Sequence, residues 1–229
     1  NRSVGDLELL GQDPRLLGQS LFRDVFFISD SGALPRWIKI MDLFKFISGI
    51  NGHFNYINAM SLLSETGMDP RANIGKLSKG MVAQLYVLIA TTVNAKLLIL
   101  DEPTLGLDLL FRKNLYSDLL HSFIDSDRSV LISTHEIIEI EDVLTDVIFM
   151  NEGKILMDSS MHALREKFFE LNVKSDYLSK AQAIPHISSR ACPGGRKILY
   201  KDVNLKELED LGEIKTPALS DIFIALSGA

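Results

Sequence analysis

Two adjacent carboxylates, Asp101 and Glu102, follow the apolar run Leu97-Leu98-Ile99-Leu100 and precede Pro103. A buried strand that ends in Asp-Glu presents hard oxygen donors at its C-terminal tip. One can hold a divalent cation and the other can take a proton from water. Alone, the pattern also fits any strand that leaves a core through an acidic turn. Three neighbours narrow it. Leu77-Ser78-Lys79-Gly80-Met81 lies upstream, Gly106-Leu107-Asp108 lies just after, and Ser133-Thr134-His135-Glu136 follows a second apolar run, Val130-Leu131-Ile132. Ser78 is a good N-cap, and Gly80 lets backbone approach an anion at the start of a helix. Asp108 is a natural N-cap for the stretch after it. A lone His is more often structural than catalytic, but His135 stands directly after a core strand.

This ordered series resembles the ATP-binding-cassette (ABC) ATPase family. The resemblance implies an α/β, P-loop NTPase-like domain with a helical signature region and a small α+β appendage. It implies that Asp101 holds Mg²⁺ through water and that Glu102 polarises the attacking water as general base. Leu77 to Met81 is similar to the family's signature segment, so Leu77, Ser78, Lys79 and Gly80 are expected at the γ-phosphate of ATP held by a second subunit. Lys79 stands where the family has Gly, and Met81 where it has Gln. This form looks like subfamilies that work with ABC-2 type membrane permeases. Gly106-Leu107-Asp108 resembles the D-loop, which places Asp108 near the nucleotide. His135 resembles the switch histidine. The family carries Gln, sometimes Glu, after a strand like Val25 to Ile28; this chain has Ser29-Asp30 there, and Asp30 is the closest polar equivalent. Asp30 is expected at the metal water, with a plain strand-to-loop turn as the equal alternative.

The family also needs a phosphate-binding loop, G-x-x-x-x-G-K-[ST], whose N–H groups and Lys cradle phosphates. The chain contains none. Gly75-Lys76 is followed by Leu77 and has Pro70 where the first Gly belongs, and Gly194-Gly195-Arg196-Lys197 ends in Ile198. In the family the loop precedes a passage similar to Gly5 through Arg15, and this chain starts without Met. The expectation is therefore an N-terminally truncated nucleotide-binding domain, inactive as it stands. Its intact form would use ATP and Mg²⁺, pair with a second nucleotide-binding subunit, and drive a permease from the cytoplasmic face. The alternatives are a non-transport ABC ATPase and a degenerate interaction module.

Composition is consistent with this. The chain has 229 residues, 46% of them hydrophobic, which is enough for a packed core. Net charge is −6, with no basic block, which disfavours a dedicated nucleic-acid binder. The single cysteine, Cys192, has no internal disulfide partner and fits a reducing compartment. No apolar stretch is long enough to span a bilayer.

Short apolar strands at 25–28, 97–100 and 130–132 alternate with helical patterns at 41–50, 56–65, 80–93, 109–123 and 136–144. That alternation predicts a parallel sheet covered on both faces. Segments 147–150 and 155–158 flank the turn Asn151-Glu152-Gly153-Lys154 and read as a hairpin. A helix is expected at 161–169, strands at 169–173 and 197–200, a short helix at 205–211, and loops at Pro185 and 188–195. Residues 217–223 resemble the closing helix of transporter subunits. The expected domains are 1–168, with a helical subdomain at 37–94, and 169–229. The stretch Ala33-Leu34-Pro35-Arg36-Trp37 falls in the region that meets the permease in transporters.

Overall fold

A computed structural model describes residues 5–18, 21–29, 34–103 and 128–228, with backbone only for Leu17, Phe22 and Glu139. The chain divides into two compact units, Asn1–His135 and Glu136–Ala229.

In the first unit, short helices α1 (Pro14–Leu17) and α2 (Leu21–Asp24) precede β1 (Val25–Ile28). Helices α3 (Ile40–Ile50), α4 (Tyr56–Glu65) and α5 (Lys79–Thr92) come next, then β2 (Leu97–Asp101) and β3 (Ser129–Ser133). The strands form a parallel sheet in the order β1-β2-β3. Helix α3 has no side-chain cap at Lys39. Its first N–H groups instead donate to a neighbouring loop, Ile40 to the Ala72 carbonyl at 3.2 Å and Met41 to the Pro70 carbonyl at 3.0 Å. That loop ends at Gly75, where a Cβ would stand 2.9 Å from the Arg36 carbonyl oxygen.

Helix α5 is apolar nearly all round, which is the pattern of a helix buried between layers. Leu85, Leu88 and Ile89 pack with Ile40, Phe44 and Leu63 of α3 and α4. Tyr86, Val87 and Ala90 pack on Ile28, Leu98 and Leu100 of the sheet. The opposite face of the sheet carries a row in direct register, Phe27–Ile99–Leu131. Phe27 is 57% exposed and Leu131 52% exposed. Among the described residues α5 covers one face of the sheet, and the helix expected at 109–123 lies outside them.

The second unit begins with the hairpin of β4 (Asp146–Asn151) and β5 (Lys154–Ser160). Glu152 and Gly153 both have positive φ, 47° and 74°, as a tight two-residue turn requires. The helix Met161–Lys167 follows, capped by Ser160. Strands β6 (Phe168–Val173), β7 (Ser188–Cys192), β8 (Gly195–Lys201) and β9 (Gly212–Lys215) form an antiparallel sheet in the order β7-β8-β6-β9. The helix Leu178–Ala183 joins β6 to β7, and a single 3₁₀ turn, Leu205–Glu207, joins β8 to β9. Order and connections are those of the split βαβ, ferredoxin-like arrangement, with its second helix shortened to that turn. One face packs Leu171, Val173, Ile198 and Tyr200 around Ala181. The Tyr200 hydroxyl donates to the Ala181 carbonyl at 2.8 Å, and burial pushes its phenol up to about 12. Phe168 and Leu199 pack with Phe149, Met161, Leu164 and Ile222.

The stretches 136–144, 188–192 and 205–211 differ from the sequence reading. Residues 136–144 form two 3₁₀ turns, Ile137–Glu139 and Glu141–Val143, in place of one helix. Ile137, Ile138, Ile140 and Val143 are β-branched and disfavour continuous helix. Glu141 serves another element: its carboxylate accepts from the N–H of Leu219 at 3.3 Å and caps the helix Leu219–Ser227, whose own N-cap position is Ala218. Residues 188–192, read as loop, are the edge strand β7, which pairs through backbone without an apolar alternation to announce it. The stretch 205–211 is reduced to one 3₁₀ turn. The division between units falls at 135/136, whereas the sequence boundary is set at 168/169; the β4–β5 hairpin and the helix Met161–Lys167 share a core with the helix Leu219–Ser227.

Leu85 is fully buried and Ile57 is 81% exposed. Leu85→Ala should cost about 2–5 kcal/mol in urea unfolding, while Ile57→Ala should stay within about 0.5 kcal/mol. Equal, small effects would show that α5 does not join the helical layer to the sheet.

Candidate functional site

The site forms where β2 and β3 end side by side. Their parallel register sets Asp101 opposite Ser133. The Ser133 hydroxyl donates to Asp101 Oδ1 at 2.5 Å. One residue on, the N–H of Glu102 donates to the Ser133 carbonyl at 2.9 Å. Strand alternation would send the Glu102 side chain to the face opposite Asp101. Its φ of 46° breaks that alternation. A left-handed backbone at a non-glycine residue costs of order 1–3 kcal/mol and persists only where surrounding bonds hold it.

His135 supplies two of those bonds. Its backbone N–H donates to Glu102 Oε1 at 3.1 Å, and its ring Nδ1 lies 2.8 Å from the same oxygen. Against an ionised carboxylate, which only accepts, Nδ1 must carry a proton. The second oxygen, Oε2, is buried and accepts no hydrogen bond among the described residues. Glu102 therefore has one oxygen tied and one bare. The His135 side chain is 61% exposed. These oxygens suit a hard divalent cation and a polarised water: Asp101 has Oδ2 left over, and Glu102 has Oε2.

The signature-like segment lies at the start of α5. Ser78 is extended, with ψ of 162°, and its hydroxyl accepts from the Met81 N–H at 3.2 Å. The first-turn N–H groups of Lys79 and Gly80 have no carbonyl to pair with inside the helix. Ser78 and Lys79 are exposed, and Leu77 and Gly80 are half-buried. Helix α5 packs on the sheet and then turns directly into β2, so its N-terminus and the β2 tip point to the same end of the sheet. Asp30, Gly106 and Asp108 lie outside the described residues. Ser133 has no role that sequence alone assigns. Its signal is tertiary, because only the strand register puts it against Asp101.

No protein-family profile matches the chain. Curated proteins do. The probable multidrug ABC transporter ATP-binding protein YbhF of Escherichia coli is 27% identical over 248 aligned positions, covering 98% of this chain and 42% of that protein. ABC transporter A family member 1 of Dictyostelium discoideum is 25% identical over 206 positions, covering 83% of this chain and 23% of its own length. The lantibiotic transport ATP-binding protein SrtF of Streptococcus pyogenes is 33% identical over 101 positions, 43% of this chain. The chain is a homologue of ABC transporter ATP-binding proteins. The solved structure of an ATP-binding subunit of an ABC transporter superposes on it with a TM-score of 0.59 at 18% identity, covering 68% of this chain and 67% of the other. That likeness shows the ABC ATPase fold. The chain spans 42% of the length of YbhF.

In this ABC ATPase homologue the Ser78 cap can be tested on stability alone. Ser78→Ala should cost about 1 kcal/mol, and Ser78→Asp should recover most of it, since Asp also caps. Urea unfolding followed by circular dichroism reads both. No loss in Ser78→Ala would remove the cap from the account of how α5 begins.

Proposed function

We propose that the protein carrying this chain hydrolyses ATP with Mg²⁺ at an interface between two such subunits, and couples hydrolysis to an ABC-2 type permease at the cytoplasmic face of a membrane. The observation that carries the reading is the divided carboxylate of Glu102, with Oε1 held by His135 and Oε2 buried and bare. Kinship with the ABC transporter ATP-binding proteins supports it, as does the order of motifs along the chain.

Bound Mg²⁺ would neutralise charge on the phosphate oxygens, and Asp101, through a water, is the residue to hold it. Glu102 acts as general base through Oε2. Its Oε1 is fixed by the N–H and ring of His135, so the carboxylate cannot rotate away from the water it activates. With Nδ1 committed to Glu102, the other ring nitrogen of His135 reaches a γ-phosphate oxygen as a donor only when the ring is doubly protonated. Ser78 and the N–H groups of Lys79 and Gly80 offer an anion site at a helix N-terminus, for the nucleotide of the second subunit. Asp30 and Asp108 complete the proposed set, at the metal water and at the D-loop. The domain reading proposed for the intact protein keeps 37–94 as the helical subdomain, and the stretch around Trp37, which is 77% exposed, as the permease-facing region.

The phosphate loop is not among these 229 residues. The chain by itself is therefore expected to bind ATP·Mg²⁺ more weakly than micromolar in calorimetry, and micromolar affinity would mean that another segment supplies the phosphate site. In the whole protein, Glu102→Gln should lower ATP turnover by about 10²-fold or more while keeping ATP binding, because an amide cannot take the proton. Unchanged turnover in that variant would take the role of base from Glu102. A degenerate, non-hydrolysing module is the second reading, and a whole protein without ATP hydrolysis would select it.

A further inference from the structure

We propose that Ser133 is a positioning residue for Asp101: its hydroxyl fixes one carboxylate oxygen so that the other alone faces the cation. This rests on the reading of Asp101 as the cation-holding carboxylate. The two residues are direct cross-strand partners at the tips of parallel strands, on the same face as Ile99 and Leu131. The hydroxyl donates to Asp101 Oδ1 at 2.5 Å. No other hydrogen bond reaches the Asp101 carboxylate among the described residues. A carboxylate at a strand tip turns about two side-chain torsions, and its apolar neighbours Ile99 and Leu131 offer no donor to stop it. Ser133 supplies that donor.

The same residue also holds the second acid. Its carbonyl accepts from the Glu102 N–H at 2.9 Å, where the Glu102 backbone is left-handed. Ser133 thus ties both carboxylate residues to β3, one through its side chain and one through its main chain. Only the first tie depends on the residue type. Thr keeps the hydroxyl and suits a strand; Ala removes it and leaves the main-chain bond intact.

The probe is Mn²⁺ alone, titrated into the intact 229-residue chain. The readout is paramagnetic broadening of backbone amide signals at residues 101–103 and 133–135, in the parent chain and in Ser133→Ala, Ser133→Thr and Asp101→Asn. Retained dispersion of the remaining amide signals shows that each variant is folded. The parent should show saturable broadening centred on these residues. Ser133→Ala should weaken the apparent affinity about tenfold, the usual cost of losing an outer-shell partner at a metal site. Ser133→Thr should restore it to within about twofold, and Asp101→Asn should abolish it. If Asp101→Asn abolishes broadening and Ser133→Ala binds like the parent, or more tightly, the positioning role is wrong and the cation site stands. If the parent shows no localised broadening, or Asp101→Asn keeps it, the cation reading of Asp101 fails and the proposal falls with it.

Discussion

The site depends on one pairing, the parallel register of β2 with β3. A parallel ladder fixes both the neighbour and the face of every residue along it. Leu98 opposite Val130 and Leu100 opposite Ile132 set the buried side against α5. One residue past that last pair, the same ladder sets Asp101 opposite Ser133. A slip of one residue would turn the apolar set outward and part the acid from its hydroxyl. Burial of the leucines and alignment of the polar tip are therefore one constraint, and the hydrophobic term is the larger share of it.

Helix α5 carries that constraint into the helical layer of the first unit. Its two apolar sides belong to two cores, the helical layer on one side and the sheet on the other. The signature-like turn at Ser78 is therefore built into the packing of both layers, and its first-turn N–H groups have a fixed direction. The second unit solves a separate problem. Its four-stranded sheet is sealed on one side by the helix Leu178–Ala183 and on the other by the hairpin β4–β5 with the helices at 161–167 and 219–227. Glu141 closes this packing by capping the last helix.

Much of this was legible in the chain. Strand 25–28 and helix 56–65 have the boundaries read from periodicity, because each is a short apolar or amphipathic run with clear stops. The hairpin was legible because Glu152-Gly153 satisfies a turn that needs two positive φ angles. Strand β7 was not, since Ser-Ser-Arg-Ala-Cys has no alternation and gains its hydrogen bonds from β8. Residues 136–144 form two 3₁₀ turns because the β-branched Ile137, Ile138, Ile140 and Val143 oppose a continuous helix. Residue type and order singled out Asp101, Glu102, Ser78 and His135, and the chemistry proposed for them rests on that pattern.

What the sequence by itself determined is local: which runs are apolar, where acids follow a strand, where a serine opens a helix. These follow from side-chain chemistry and spacing, which need no partner. What only the tertiary structure decided is pairwise. That Ser133 holds Asp101, that His135 holds one oxygen of Glu102 and leaves the other bare, and that Glu102 turns left-handed to allow it are contacts between residues more than thirty positions apart. Nothing in either segment alone encodes such distances. The packing of α5 on the sheet, which brings the strands into register, does.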